Sequence, residues 1–178
     1  MEDDLTLGDY ALEALRVRLT KVFPAQIRSC VEKLNDEQLW WRANEQSNSV
    51  GNLVLHVSGG VMHYLCHLVG GFEYSRDREK EFATKSISKE RLLATFDEMV
   101  EKTGQTFAKL NVSNLMEPSS VPRFYSTIYE DLLGIAIHVA AHAGQIVYAT
   151  KLLEEGSLNE LWMVTHSEHG AWKVSTTS

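Results

Sequence analysis

Proline is missing from residues 25–117 of this chain, whose only prolines are Pro24, Pro118 and Pro122. Because proline is the strongest helix breaker, more than half of the chain is free to form long helices. Apolar residues recur at helical spacing in four long segments, and no segment alternates strictly between apolar and polar residues as a strand would. Four long helices in 178 residues predict an all-α protein built as a four-helix bundle.

Local capping and stop signals set the expected helix bounds. Ser49 and Ser88 are typical N-caps, Thr127-x-x-Glu130 has the capping-box pattern, and Gly70-Gly71 ends a helix. Residues 72–87 then form a long connection between the second and third helices. The predicted helices are helix one from Leu7 to Leu34 with a kink at Pro24, helix two from Val50 to Leu68, helix three from Ser88 to Leu110, and helix four from Thr127 to Glu155.

Length and charge restrict the class of protein. We expect residues 1–178 to form a single domain in which residues 157–178 are a C-terminal tail. A net charge of −7 repels nucleic-acid backbones and anionic lipid headgroups, so we expect no nucleic-acid partner. Cys30 and Cys66 lie in apolar periodic segments, which favours buried thiols over a disulfide. Since the N-terminus is acidic and no apolar signal segment follows it, we predict a cytoplasmic protein.

One segment, Leu132 to Thr150, has no Asp, Glu, Lys or Arg and is long enough to cross a membrane. It carries His138, His142 and Gln145 near its middle, which is unfavourable in a lipid environment. We therefore interpret it as the buried central helix of a soluble bundle, and we expect no membrane partner.

Histidines supply the candidate chemistry. His138 and His142 lie at i and i+4 on one helical face among small residues, close enough to share a metal ion. Helix two offers a third ligand from His56, His63 or His67, and its apolar surroundings favour His56. An HxxxH pair is a weak signal by itself, and core histidines with hydrogen-bond partners are the competing interpretation. For His63 and His67 we favour a partly exposed polar edge over a second metal site.

Two segments carry a family resemblance: Trp40-Trp41-Arg42 followed by Ser47 to His56, and His138-x-x-x-His142-Ala-Gly-Gln-Ile. Together they resemble the DinB-like family of bacterial four-helix proteins. The resemblance runs from helix one to about residue 155. It implies an up-down-down-up bundle with a long connection between helices two and three. It also implies a divalent metal held by His56, His138 and His142.

Known activities in that family include thiol S-transfer with bacillithiol and mycothiol-dependent maleylpyruvate isomerisation, and many members are described as metal-dependent hydrolases. The resemblance therefore implies a metal-dependent thiol S-transferase or hydrolase. Three imidazoles leave an open position for water or a thiolate, and they suit Zn²⁺ or Ni²⁺ equally. No cysteine nucleophile or HExxH glutamate accompanies the proposed ligands, so a low-molecular-weight thiol could act as cosubstrate. The alternative is a non-catalytic metal-binding or structural bundle.

Several residues remain for a role in packing or assembly. Leucine and valine on more than one helix face, with Trp162, Met163 and Trp172 in the tail, predict a homodimer. We expect the Trp40-Trp41 pair to anchor the core rather than to bind substrate. We expect Arg76 and Arg78 to be solvated loop charges, and we assign no chemistry to His166 and His169.

Overall fold

The computed structural model describes residues 5–121 and 123–154, and within these residues every regular element is a helix and there is no strand. The all-α prediction is confirmed. The C-terminal tail, including His166, His169 and the tail tryptophans, lies outside the described residues, as does Pro122.

The long helices begin and end close to the predicted residues. Helix α1, Leu7–Val17, continues through a π-helical turn, Arg18–Val22, into α2, Phe23–Lys33; the short helix α3, Asp36–Trp40, follows. Helix α4, Val50–Val61, continues as a π-helical segment, Met62–His67. Helix α5, Arg78–Ala83, lies in the predicted connection, and α6, Lys89–Phe107, a 3-10 turn, Val112–Met116, and α7, Ile128–Leu153, complete the described fold.

The irregularity expected at Pro24 takes the form of the π-helical turn before it. Proline has no N–H to donate to the fourth residue back, and its ring crowds that carbonyl. Here the amide of Phe23 donates to the carbonyl of Arg18, five residues back, and Pro24 falls in the first turn of α2. The wider turn lets helix one run on past the proline.

The core lies where α4 faces α6 and α7, and where α2 closes against the same two helices. Nearly all of α4 is buried, whereas α6 and α7 each bury one face. Both cysteines are buried free thiols, as predicted. The largest fully buried side chains include Ile27, Leu65 and Phe96. Because α4 is surrounded, the polar side chains on it can find partners only inside the protein.

Among the described residues one helix, α7, is long and apolar enough to span a membrane by length and composition. In the structure 33% of its most apolar stretch is buried. Its inner face contacts α2 and α4, and both histidines predicted in its middle are half-buried. The rest of that stretch is half-buried or exposed, so the prediction of a buried central helix holds only for its inner face.

Candidate metal centre

Three histidines from two helices meet at one point. His56 lies on α4, and His138 and His142 lie one turn apart on α7. One ring nitrogen of each lies within 4.8 Å of the other two. The Nε2 atoms of His56 and His138 are 3.2 Å apart, and the ring centroids of His138 and His142 are 4.5 Å apart. This cluster can hold a metal ion, because imidazole nitrogens so close together can share one cation.

Helix α7 brings two of these rings to one place by its local sequence. Thr127 caps the helix by accepting from the Glu130 amide, and the Glu130 carboxylate accepts from the Thr127 amide at 3.0 Å. From this fixed start, the spacing of four residues places His138 and His142 on the same face. Buried Val139 and Ala143 continue that inner surface.

His56 is positioned by a polar network at the start of α4. The carbonyl oxygen of the Asn52 side chain accepts from the Ser49 hydroxyl and from Arg42, each at 2.7 Å. The Asn52 amide donates to the carbonyls of Glu81 at 2.9 Å and Thr84 at 2.8 Å. Asn52 is fully buried, so these bonds fix the connection after α5 against α4, one turn before His56.

That arrangement places the carboxylate of Glu81 behind His56. Oε2 of Glu81 lies 2.9 Å from Nδ1 of His56. Nη2 of Arg76 also lies 3.2 Å from this Nδ1, but the contact with the carboxylate is shorter. Since a carboxylate only accepts, the shorter contact favours a proton on Nδ1 and an Nε2 lone pair that faces His138. A carboxylate that orients a histidine in this way is typical of metal sites. Sequence reasoning did not find Glu81.

Arg76 completes the arrangement from the other side. Its Nε donates to Oε1 of Glu81 at 2.7 Å, and its Nη2 donates to Oε2 at 2.9 Å. Arg76 side-chain exposure is 11%, so the prediction of a solvated charge is wrong for this residue. Arg78 is exposed beside the Phe82 ring and meets that prediction.

The charges of this pair stabilise one another. Burial by itself raises the pKa of Glu81, but hydrogen bonds from His56 and Arg76 outweigh it and hold that pKa below its usual value. Burial by itself lowers the pKa of Arg76, but Glu81 raises it overall. The carboxylate behind His56 is therefore ionised at neutral pH and its charge is compensated.

The two histidines of α7 favour the neutral form. Burial, reinforced by the neighbouring His142 and His56, lowers the pKa of His138 to about 4. Burial also lowers the pKa of His142, whose Nδ1 lies 2.8 Å from the side-chain oxygen of Gln145. Donation from Nδ1 to that oxygen leaves Nε2 of His142 free to act as a ligand.

His63 and His67 lie outside this cluster. Their rings stack on each other with centroids 5.8 Å apart. Nδ1 of His67 donates to the carbonyl of Phe72 at 2.6 Å, which ties the end of the helix to the start of the connection. Each is half-buried, but Nδ1 of His63 is buried without a hydrogen-bond partner, so the partly exposed polar edge describes His67 better than His63.

The tryptophan pair divides between core and surface. Trp40 packs against the core and donates from Nε1 to the Ile87 carbonyl at 3.1 Å, as expected for an anchor. The expectation is wrong for Trp41, which is 43% exposed. Helix α3 ends at Trp40, so the next side chain turns outward.

Two adjacent glycines make room for the carboxylate and the imidazole. A Cβ at Gly59 would overlap the Glu81 carboxyl group and lie 3.5 Å from Nε of Arg76. A Cβ at Gly60 would lie 3.3 Å from Cε1 of His138. Since glycine costs about 1 kcal/mol in a helix relative to alanine, a Gly-Gly pair within a buried helix is a signal of close approach.

Comparison with known proteins places the chain in a family by sequence. No curated protein matches it. A family model described as "Protein of unknown function (DUF1572)" matches residues 7–166, which include all three histidines of the cluster and both residues of the Arg76–Glu81 pair. This match covers most of the chain, which therefore belongs to the DUF1572 family.

Proposed function

We propose that the protein is a metal-dependent enzyme of the DinB-like type, with the up-down-down-up bundle of that family, and that His56, His138 and His142 are the ligands of one divalent cation. The observation that carries the proposal is the convergence of three imidazoles, one of them backed by an ionised carboxylate. Carboxylate–histidine pairs of this kind orient the ring and raise its basicity as a ligand.

The residues fit such an ion. Two ligands of a tetrahedral Zn²⁺ at about 2.0–2.1 Å from the metal are about 3.3 Å apart. The Nε2 atoms of His56 and His138 are 3.2 Å apart. Nitrogen ligands of intermediate softness suit Zn²⁺ and Ni²⁺, the two metals that we propose.

Such an ion would lower the pKa of a water or thiol bound in its open position, which supplies a nucleophile at neutral pH. The chain itself holds the ligands in place. Glu81 keeps the proton on Nδ1 of His56, and Arg76 keeps Glu81 ionised and turned toward that ring. Because Glu81 is engaged by both neighbours, it is poorly placed to act as a general base toward a substrate.

Thiol transfer is favoured over hydrolysis by what surrounds the ligands. Among the described residues, the three-histidine cluster includes no carboxylate and no cysteine. Cys30 and Cys66 are fully buried in the core, where burial raises the pKa of each thiol. A nucleophilic sulfur would therefore come from a small cosubstrate, and we propose a low-molecular-weight thiol and an electrophilic small molecule as substrates.

The first experiment measures metal content of untagged protein. We expect one equivalent of Zn²⁺ or Ni²⁺ in the wild type, and strong loss in His56→Ala, His138→Ala and His142→Ala. His63→Ala and His67→Ala are matched controls that keep the metal. If His56→Ala binds one equivalent as tightly as wild type and His63→Ala does not, the ligand assignment is wrong.

The second experiment separates enzyme from binder. Metal-loaded protein is incubated with an electrophile and bacillithiol, or with an activated ester alone, and product is followed by mass spectrometry. Thioether formation that His142→Ala abolishes supports a transferase, and ester cleavage alone supports a hydrolase. Metal retention without turnover supports a non-catalytic bundle. In that case His138 donating from Nε2 to Nε2 of His56 at 3.2 Å is the structural contact of the metal-free form.

We also propose a cytoplasmic homodimer. Apolar side chains line the outer face of α7: Leu133, Ile137, Tyr148 and Leu152 are 37%, 62%, 66% and 59% exposed. Residues four apart on a helix share a face, so these form two patches suited to a second copy. Light scattering at micromolar concentration tests this: a dimer that Ile137→Glu converts to monomer supports the proposal, and a wild-type monomer contradicts it.

A further inference from the structure

A cavity of about 270 Å³ adjoins the histidine cluster at His138, and Glu81 is not among its lining residues. Gly60 and Tyr64 form one wall, and Gly134, Ile135 and His138 on α7 form another. The third wall is the loop before α7, which contributes Val121, Phe124 and Tyr125. His138 therefore faces both the cavity and the other two histidines.

The loop is fixed over this cavity by one buried acid. Asp131, 1% exposed, accepts from the Ser119 hydroxyl at 2.6 Å and from the Ser120 amide at 2.8 Å. Both carboxyl oxygens are used in holding the loop. The one acidic residue among the lining residues is thus occupied, and what faces the cavity is chiefly aromatic and aliphatic.

Two glycines keep the cavity open and closely walled. A Cβ at Gly134 would overlap the phenol of Tyr125, so the absence of a side chain there lets the tyrosine lie against α7. A Cβ at Gly60 would lie 3.3 Å from Cε1 of His138 and fill the space beside the ring. A larger residue at Gly134 would therefore displace Tyr125, and one at Gly60 would crowd the His138 ring.

We propose that this cavity binds a ring-sized apolar group of the electrophilic substrate, so that the reactive carbon of that substrate lies past His138, next to the thiol in the metal's open position. The inference rests on the proposed function and adds the substrate class. An apolar cavity of about 150 Å³ holds benzene, so about 270 Å³ accepts a substituted ring. Tyr64, Phe124 and Tyr125 offer the faces and edges that aromatic ligands prefer.

The lining also indicates which substrate lies here. A thiol cosubstrate that carries sugar hydroxyls and carboxylates would lose hydration among these side chains and gain few hydrogen bonds. An apolar electrophile loses little. The cavity therefore takes the apolar electrophile, and the polar part of the thiol stays outside it.

The test uses two probes that differ only in the ring, ethanethiol and 2-phenylethanethiol. Each is titrated into Co²⁺-loaded protein, and the sulfur-to-cobalt charge-transfer band reports binding. Burial of a phenyl group predicts that 2-phenylethanethiol binds about tenfold tighter or more. Tyr125→Ala is expected to reduce that preference below about threefold without changing cobalt content or ethanethiol affinity. Tyr10→Ala is the matched control, since Tyr10 is 40% exposed and Tyr125 is 37% exposed.

Each outcome decides the matter. Equal affinity for the two thiols in cobalt-loaded wild type, or a preference unchanged in Tyr125→Ala, overturns the cavity assignment and leaves the metal site standing. If the wild type takes up no cobalt, the proposed function fails. The cavity assignment is then tested on metal-free protein by the broadening of the ring-proton NMR resonances of 2-phenylethanethiol. Broadening that is lost in Tyr125→Ala supports the assignment, and the absence of broadening in the wild type overturns it. If Tyr125→Ala does not fold, Phe124→Ala replaces it, because Phe124 is 63% exposed.

Discussion

Gly59→Ala tests whether the glycine pair in α4 exists to admit Glu81. In an unobstructed helix the change is stabilising by about 1 kcal/mol, because alanine is the better helix former. At Gly59 the new methyl carbon would overlap the Glu81 carboxyl group, with the Cδ atom 2.8 Å away. Glu81 would have to leave its contacts with His56 and Arg76.

The size of the effect follows from those contacts. Breaking a buried ion pair costs about 3–5 kcal/mol when one partner is removed. Glu81 is displaced rather than removed, so we expect a cost of about 2–4 kcal/mol, which the helix propensity of alanine reduces to a net destabilisation of about 1–3 kcal/mol. Loss of the carboxylate behind His56 should also weaken metal affinity by about 10- to 100-fold.

Gly144→Ala is the matched control. Gly144 also lies within a long helix, but nothing lies within 4 Å of the Cβ position, so this change should stabilise by about 1 kcal/mol. Urea unfolding of metal-free protein and chelator competition measure the two effects. If Gly59→Ala stabilises the protein as Gly144→Ala does and leaves metal affinity unchanged, the role assigned to Glu81 is refuted.

Three further outcomes are expected. Glu81→Gln should weaken metal affinity about 10- to 100-fold in chelator competition, whereas Glu13→Gln, which removes a carboxylate paired with an arginine on α1, should leave it unchanged. The pKa of His138 is lowered from 6.5 to about 4 in the folded protein. Between these pH values the unfolded metal-free chain binds a proton that the folded chain does not. The free energy of unfolding in urea should therefore fall as pH falls through this range, and it should fall less steeply in His138→Asn. Since burial raises the pKa values of Cys30 and Cys66, both thiols should resist a thiol reagent at pH 8 in the native protein and react on unfolding; rapid native reaction would contradict their burial.

The helices could be predicted from the sequence because their signals are local. The Ser49 hydroxyl accepts from the backbone amide of Asn52, and the Ser88 hydroxyl accepts from the backbone amide of Arg91. Thr127 forms its capping box with Glu130. Each of these contacts joins residues three apart, so the pattern in the sequence is the contact in the structure. The spacing that brings His138 and His142 together is equally local.

The carboxylate and the arginine could not be predicted in the same way. Glu81 is 25 residues from His56. It is the last residue of a run of charged residues that begins at Arg76, and such a run is typical of a solvated loop. Which acid of such a run becomes buried depends on how the connection folds back over α4. That path is set by contacts of the buried Asn52 side chain with backbone carbonyls at Glu81 and Thr84, and backbone carbonyls are present at every residue.

Gly59 does carry part of the missing signal. A glycine next to another glycine, within a helix that is buried on nearly every side, costs helix stability and contributes no side chain to the core. At Gly59 the space that a side chain would fill is taken by the Glu81 carboxyl group. Gly60 lies four residues after His56 on the same helix, on the face toward α7. Gly59 lies three residues after His56, beside the Glu81 carboxylate. The two glycines therefore mark the two sides on which the His56 ring has partners. On the side of Gly59 the partner is the Glu81 carboxylate, and on the side of Gly60 it is the His138 imidazole.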